Sequence, residues 1–555
     1  MTPRSPIAEL PTHSVTNMPP PIGDQDLWAG DAGLRHWAQV QGANWAQDRL
    51  ASVGKAAGSM ETFDLADLAN RHVPELRAFD RYGMRIDQVA FHPAYHDLMR
   101  LAIEHEIPSF AWRHSGAGAQ VAHAAMTYMF SQPEGGVMCP MAMTYAVIPS
   151  LRGTPAIADE WLPRLLSTEY DRRDIPAGEK TGATIGMFMT EKQGGSDVRS
   201  NSTTATPLGE RTGKAAQYLL TGHKFFCSAP MCDAFLVLAH APGGLSCFLV
   251  PRWKPDGRRN HLFIQRLKDK LGNRSNASSE MEFLDTHAVM VGDEGRGVRT
   301  IIDMVQGNRI YCAMASAGLM RQALVQALHH TRHRSAFQKR LIDQPLMQNV
   351  LADLAVETEA ALALGLRVAR AIDEGLAGDA DAAAFARLGT AVAKYWNCKR
   401  APYAVFEAME CLGGPGYIED TILPRLYREA PVNSIWEGSG NVVCLDVLRA
   451  IGREPAALSA LWAELDAARG TDARLDAAID RLKEMLGQAG GLEAQARSIT
   501  ELMSQTLAGA LLVQHGTVEV AEAYCASRLG TVFSGAFGTL PAGTDLAAII
   551  SRAAV

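Results

Sequence analysis

The sequence predicts a mainly α-helical protein with a central β-domain, and three observations predict it. Apolar residues recur at three- and four-residue steps from about Leu27 to Tyr170. From Gly182 to about Val291 this period gives way to short β-rich runs bounded by turn residues. After Gly297 the helical period returns in long amphipathic stretches with few internal breakers.

Residues 1–26 are rich in Pro, Ser and Thr, lack the apolar stretch of a signal peptide, and read as a flexible arm. Residues 27–181 read as an N-terminal helical domain, with runs such as 98–107 and 120–130 separated by breaks at Pro108, Pro133 and Pro140. Residues 182–292 read as the β-domain. There 233–240 and 245–250 flank Ala-Pro-Gly-Gly as a hairpin, and 218–228 and 281–284 are further strands. Residues 293–450 contain the helical runs 301–333, 346–373 and 382–412, whose length and short joints suggest a bundle. Residues 451–555 are Ala-rich and read as an additional helical domain, interrupted near Gly487, Gly490 and Pro541.

The chain has 555 residues, 47% hydrophobic and 20% charged, enough to bury a large core without metals or disulfides. Its formal charge of −7 argues against nucleic-acid binding by bulk charge, though not against a local basic patch. The absence of an apolar run of about 18 residues argues against a membrane span. Nine scattered cysteines, an odd count without Cys-x-x-Cys, point to a reducing, cytoplasmic setting.

Three stretches carry chemistry. In Met187-Phe-Met189-Thr190-Glu-Lys-Gln-Gly194-Gly195-Ser196-Asp197, paired glycines allow a flat or phosphorylated ligand to approach the backbone, and Thr190 and Ser196 offer hydroxyls. The same residues also suit a polar turn after a strand. In Gly222-His-Lys-Phe-Phe226-Cys-Ser228, Phe226 could stack on a planar ring and Ser228 bond its edge, or Phe226 could serve core packing. The third block runs from Leu412-Gly413-Gly414 through Arg428 to Trp436-Glu437-Gly438-Ser439-Gly440-Asn441. A carboxylate between Trp436 and a glycine-rich turn suits a general base, while a helix N-cap network around Ser439 and Asn441 is the alternative.

Gly292-x-x-Gly295-x-Gly297 has dinucleotide-loop spacing but no βα alternation around it, so no Rossmann unit is expected. His329, His330 and His333 share one helix, but no third ligand is evident and no metal site is expected.

Taken in order, these stretches resemble the acyl-CoA dehydrogenase family over roughly residues 145–448. The run within 187–197 resembles its flavin signature, Lys268-Asp-Lys-Leu-Gly-Asn-Arg274-Ser a second signature, Arg334-Ser-Ala-Phe337 a dimer-forming segment, and Trp436-Glu437-Gly438-Ser439 the final block. The blocks 190–198, 267–277 and 431–440, with the long arm and C-terminal extension, are most similar to the family's AidB-type subgroup.

The resemblance implies an acyl-CoA dehydrogenase-like fold: an N-terminal helical domain, a β-barrel or sandwich, and a four-helix bundle, followed by an extra helical domain. It implies FAD, a homotetramer and α,β-dehydrogenation of an acyl thioester, with acyl-CoA as substrate. Glu437 would be the catalytic base. Met189, Thr190, Gly195, Ser196, Phe226 and Ser228 would contact the flavin. Arg334 and Phe337, from a neighbouring subunit, would reach the pyrophosphate and adenine beside Leu412, Gly413 and Gly414. Trp436, Ser439 and Asn441 would complete the flavin pocket, and Arg309 would face substrate.

The sequence departs from the family pattern at Gln338, which follows Phe337 where glycine is usual, and at Phe226, where most relatives have Trp. Gln306 and Asn308 also precede Arg309 where acidic residues are common.

The subgroup further implies association with duplex DNA and resistance to DNA alkylation. Residues 451–555 hold eight Lys and Arg against twelve Asp and Glu, a balance of −4 that suits phosphate contacts poorly. Dehydrogenation therefore ranks first, DNA protection second, and a flavin monooxygenase third, since Glu437 has no role there.

Overall fold

The computed structural model describes residues 12–488, 490–530 and 534–554, so the reading of residues 1–11 as part of a flexible arm lies outside the described residues. The chain forms two compact units, one of 64–115 and 134–311, the other of 1–63, 116–133 and 312–555. This division distributes the N-terminal helices over both units. It also places the C-terminal extension in the same unit as the long helices.

The unit of 64–115 and 134–311 opens its β-structure with a hairpin, β1 (Glu75–Phe79) and β2 (Arg85–Ala90), inside the stretch expected to be helical. Both strands are short, and the Asp80 carboxylate accepts from the Tyr82 and Met84 amides while Gly83 takes φ +79. Such a turn chemistry overrides a weak helical period.

The main sheet comprises β3 (Ile185–Phe188), β4 (Thr204–Pro207), β5 (Gln217–Ser228), β6 (Ala234–Ala241), β7 (Gly244–Pro251), β8 (Leu262–Leu267) and β9 (Ser278–Val291). The path β6-β4-β5-β9-β7 closes on itself through antiparallel β6–β7 pairing, while β3 adds to β6 and β8 to β9. Closure leaves β6 apolar and buried on both faces from Phe235 to Ala239, and the expected Ala-Pro-Gly-Gly hairpin joins β6 to β7. Along β5, Tyr218, Leu220 and Lys224 point inward at the two-residue period. The register then slips between Lys224 and Cys227, and this bulge turns Phe226 outward.

In the other unit, the long helices are Pro345–Leu376 and Ala380–Leu412, joined by the C-terminal part of Gly297–His333 and by Gly440–Arg453. Residues 351–366 are buried at every position, the mark of a central helix. The extension contributes Pro455–Asp466, Ala473–Gly487, Leu492–His515, Val518–Arg528 and Leu546–Ala553. It is tied to the bundle by charge as well as by apolar packing. Arg528 reaches Asp353 at 2.5 Å and Glu357 at 2.9 Å, Arg552 reaches Glu359 at 2.8 Å, and Arg367 reaches Glu464 at 2.8 Å.

Candidate functional site

In the β-containing unit, residues 189–197 leave β3 and fold over the end of β5. The Thr190 carbonyl accepts from the Phe225 amide at 2.8 Å, and the Met189 carbonyl from the Asn201 side chain at 2.9 Å. A Cβ on Gly194 would collide with Ser200 and the Asp197 carbonyl, and one on Gly195 would press on Thr190, so both glycines are needed for the close turn. The hydroxyls of Thr190 and Ser196 make no hydrogen bond among the described residues.

What secures this loop is a pair that sequence reading passed over. Glu191 and Lys224 are fully buried, with the ammonium 2.7 Å from the carboxylate. Glu191 also accepts from the Ser202 amide and hydroxyl and from the Thr203 hydroxyl, at 2.6, 2.9 and 2.6 Å. Burial acts to raise its pKa, but Lys224 and these donors outweigh it and hold the carboxyl well below its usual range. The available signal was the inward period of β5, which puts Lys224 in the core and demands a partner.

Phe226 leaves 51% of its surface exposed. Ser228, at the end of β5, has its hydroxyl 3.2 Å from that of Ser278. Lys268 Nζ lies 4.6 Å from the Phe226 ring centre and pairs with Glu280 at 2.7 Å. With half its surface exposed, Phe226 does not serve core packing, and the amide of the preceding Phe225 ties its strand to the Thr190 carbonyl. Arg309 is buried on the Gly297–His333 helix. A cavity of about 470 Å³ in this unit, lined by Tyr95, His96, Tyr170, Lys180 and Asp233 among others, contains none of the residues expected from sequence.

In the helical unit, Arg334 ends the Gly297–His333 helix and donates to the Asn17 carbonyl at 2.7 Å. A tight hairpin follows, β10 (Ser335–Ala336) with β11 (Lys339–Arg340), whose two turn residues, Phe337 and Gln338, both take positive φ, +53 and +64. Such a turn usually carries Asn or Gly, so two bulky residues there store strain. Phe337 is 93% exposed. Asn17 bonds the Ser335 backbone through both side-chain atoms, and the Pro20 carbonyl meets His329 Nε2 at 2.7 Å, so this part of the arm is held against the hairpin.

Leu412 is buried, and Gly413 ends its helix at φ +64 with open space beside both Gly413 and Gly414. Glu437 takes φ +56 and Gly438 φ +105. Ser439 stands at the N-cap of the Gly440–Arg453 helix, yet its side chain makes no capping bond. Asn441 Oδ1 instead accepts from Arg497 Nε at 2.8 Å, a residue of the C-terminal extension. The alternative of a capping network is therefore not formed by Ser439.

Beneath this turn lies the buried Lys394, whose ammonium donates to the Gly438 carbonyl. Burial above all, with Cys398 and Glu437, pushes the neighbouring Cys312 thiol well up, against the pull of Lys394. Sequence reading missed Lys394 and Arg497 because each lies on a distant helix that only folding brings to the turn.

Comparison with known proteins matches three domain descriptions: adaptive response protein AidB N-terminal domain at residues 17–172, acyl-CoA dehydrogenase middle domain at 186–286, and acyl-CoA dehydrogenase C-terminal domain at 295–452. The AidB protein of Escherichia coli (strain K12) is 44% identical over 94% of this chain and 95% of its own length. Acyl-CoA dehydrogenase family member 11 of Caenorhabditis elegans is 31% identical over 84% of this chain and 81% of its own. The crystal structure of the Caenorhabditis elegans protein with C11-CoA superposes with a TM-score of 0.85, at 28% identity, covering 97% of each chain. The apo-form structure of Bd2924 superposes at 0.82, with 31% identity over 89% of this chain and 99% of its own. With its domains matched in order and these relatives aligned along most of their length, the chain belongs to the acyl-CoA dehydrogenase family, in its AidB branch.

Proposed function

We propose that this chain dehydrogenates an acyl-CoA thioester between its α and β carbons, with Glu437 as the base that takes the α-proton. One observation carries the reading. Glu437 is a half-buried carboxylate held in the left-handed region, which costs a non-glycine residue about 1–3 kcal/mol and clusters at working sites.

The family's cofactor is FAD, which when bound accepts the β-hydrogen with its electron pair. The residues of this chain fit it. The exposed Phe226 face and the hydroxyls of Thr190, Ser196 and Ser228 suit the ring system and its edge, and Met189 and Gly195 shape the loop that carries them. Arg334 and the protruding Phe337, supplied by a neighbouring subunit, suit the pyrophosphate and adenine end alongside Leu412 and the open glycines 413 and 414, while Trp436, Ser439 and Asn441 suit the flavin. Arg309 is assigned to the substrate. The C11-CoA held by the Caenorhabditis elegans relative favours a medium-length acyl chain as the first substrate to test.

A homotetramer belongs to the same proposal, supported by the exposed apolar side chains Phe337, Tyr403, Phe406, Tyr417 and Ile435. All nine cysteines are buried and none is joined in a disulfide among the described residues, which supports a reducing, cytoplasmic setting. No helix among the described residues is long and apolar enough to cross a membrane. A role at duplex DNA in the response to alkylation is the second reading, and the acidic balance of 451–555 weighs against it.

The test is anaerobic stopped-flow reduction of the flavin by an eleven-carbon acyl-CoA. Glu437→Gln should bind FAD normally and lose about a hundred- to ten-thousand-fold in rate. Equal rates would place the base elsewhere, and a wild-type protein that no acyl-CoA reduces would move the balance to the DNA reading.

A further inference from the structure

We infer that Lys394 is the positioning residue of the catalytic turn, fixing the Gly438 carbonyl and supplying the buried positive charge that keeps Glu437 ionised. The inference rests on the assignment of Glu437 as base. Its own ground is geometric.

Lys394 lies in the Ala380–Leu412 helix and is 1% exposed. A lysine so deeply buried is uncommon, because the ammonium must lose its water. Its hydrogen bond goes to the carbonyl of Gly438, the residue next to Glu437. Residues 437 and 438 both have positive φ, so the turn is not one that the backbone holds by its own preference. A carbonyl anchored from a neighbouring helix removes the freedom to relax, and so aims the Glu437 side chain.

The charge matters as much as the hydrogen bond. The ammonium that bonds the Gly438 carbonyl stands at the residue next to Glu437, and the charges of Lys394 and Glu437 both bear on the Cys312 thiol, in opposite directions. The titratable and charged groups facing this cluster are Cys312 on the Gly297–His333 helix, Cys398 and Lys399 on the helix of Lys394 itself, Glu437 on the turn, and Arg497 on the Leu492–His515 helix. Lys399 is partly exposed, and Arg497 is exposed and bonded to Asn441, so water screens both more than it screens Lys394. The buried thiols are neutral. Lys394 is thus a buried cation whose field at the turn is screened less than that of Lys399 or Arg497, and an opposite charge nearby favours the ionised, proton-accepting carboxylate.

The experiment compares wild type, Lys394→Gln, Lys394→Met, Lys394→Arg and Glu437→Gln as FAD-loaded proteins. Gln keeps a donor for the Gly438 carbonyl without the charge, Met removes both, and Arg keeps both. Flavin reduction by saturating eleven-carbon acyl-CoA is followed against pH. The infrared band of the protonated Glu437 carboxyl, identified by its loss in Glu437→Gln, is titrated in the same proteins without substrate.

In Lys394→Gln the midpoint of both titrations should rise by about one pH unit or more, with kcat lowered below the midpoint and KM little changed. Well below the midpoint, a rise of about one pH unit should slow the reaction about tenfold, because the ionised fraction of the base falls by that factor. Lys394→Arg should keep the wild-type midpoint. Lys394→Met should show the same rise and also fail to regain the full rate at high pH, because the turn is no longer anchored. If Met does not yield folded protein, Gln and Arg still decide the matter. Unchanged midpoints in Lys394→Gln, with Glu437→Gln inactive, would overturn the role of Lys394 alone. A Glu437→Gln protein reduced at the wild-type rate would overturn the base assignment itself.

Discussion

Replacing Lys224 with Met removes the cation paired with a fully buried carboxylate and leaves the side-chain volume nearly unchanged. Glu191 keeps its bonds from Ser202 and Thr203, but its charge then lies in the core of the β-unit without the ammonium now 2.7 Å away. Breaking a buried ion pair from one side typically costs about 3–5 kcal/mol, and the donors that remain on Gln193, Ser202 and Thr203 place this case towards the lower figure. Urea denaturation followed by far-UV circular dichroism reads the loss as a lower midpoint at constant slope.

The pH dependence has a definite sign. The Glu191 carboxyl is depressed on folding, so its contribution is present above the usual 4.5 and fades as the pH falls. In Lys224→Met that contribution should shrink, and the difference from wild type should be greatest near neutral pH. FAD should also leave the variant more readily, because the loop bearing Thr190 and Ser196 is hung on Glu191. A loss under about 1 kcal/mol with FAD retained would refute the view that this pair secures the loop, since a loss that small is typical of an exposed pair.

Two further outcomes test the helical unit. Burial raises the Asp373 carboxyl from 3.8 to about 6, against the pull of the Gln120 and Val121 amides that it accepts. An acid raised on folding contributes stability below pH 3.8 that is lost as the pH climbs through about 6, so Asp373→Asn should flatten the pH dependence of stability over that window by about 2–3 kcal/mol; thermal melts across the window give the comparison. Arg528→Met leaves Asp353 buried without its cation and Glu357 with Arg400 alone, and about 3 kcal/mol should be lost, seen as a lower melting temperature and earlier proteolysis within 451–555.

Much of the architecture was legible in residue order. The helical period at 301–333, 346–373 and 382–412 lies inside helices observed at Gly297–His333, Pro345–Leu376 and Ala380–Leu412, because long periodic runs leave little ambiguity. The strands read at 218–228, 233–240 and 245–250 were legible for the same reason, their β-branched and aromatic runs being cut by turn residues. The hairpin of β1 and β2 was not, since strands of five and six residues joined by a polar turn carry too short a pattern to overrule their helical neighbours. Nor were β3, β4 and β8 legible one by one, for runs of four, four and six residues carry too short an alternation, even though β4 and β8 pair with the strands that follow them.

The sequence by itself determined the fold class, the ordered flavin-type motifs and the candidate base. All three rest on local composition, or on short motifs whose chemistry stays the same wherever the chain places them. Tertiary structure alone decided how those motifs are held. It paired Glu191 with Lys224 across 33 residues, brought Lys394 to the Gly438 carbonyl across 44, and carried Arg497 to Asn441 across 56. A buried charge takes its partner from whichever segments the packed core brings together, and no local period encodes that choice.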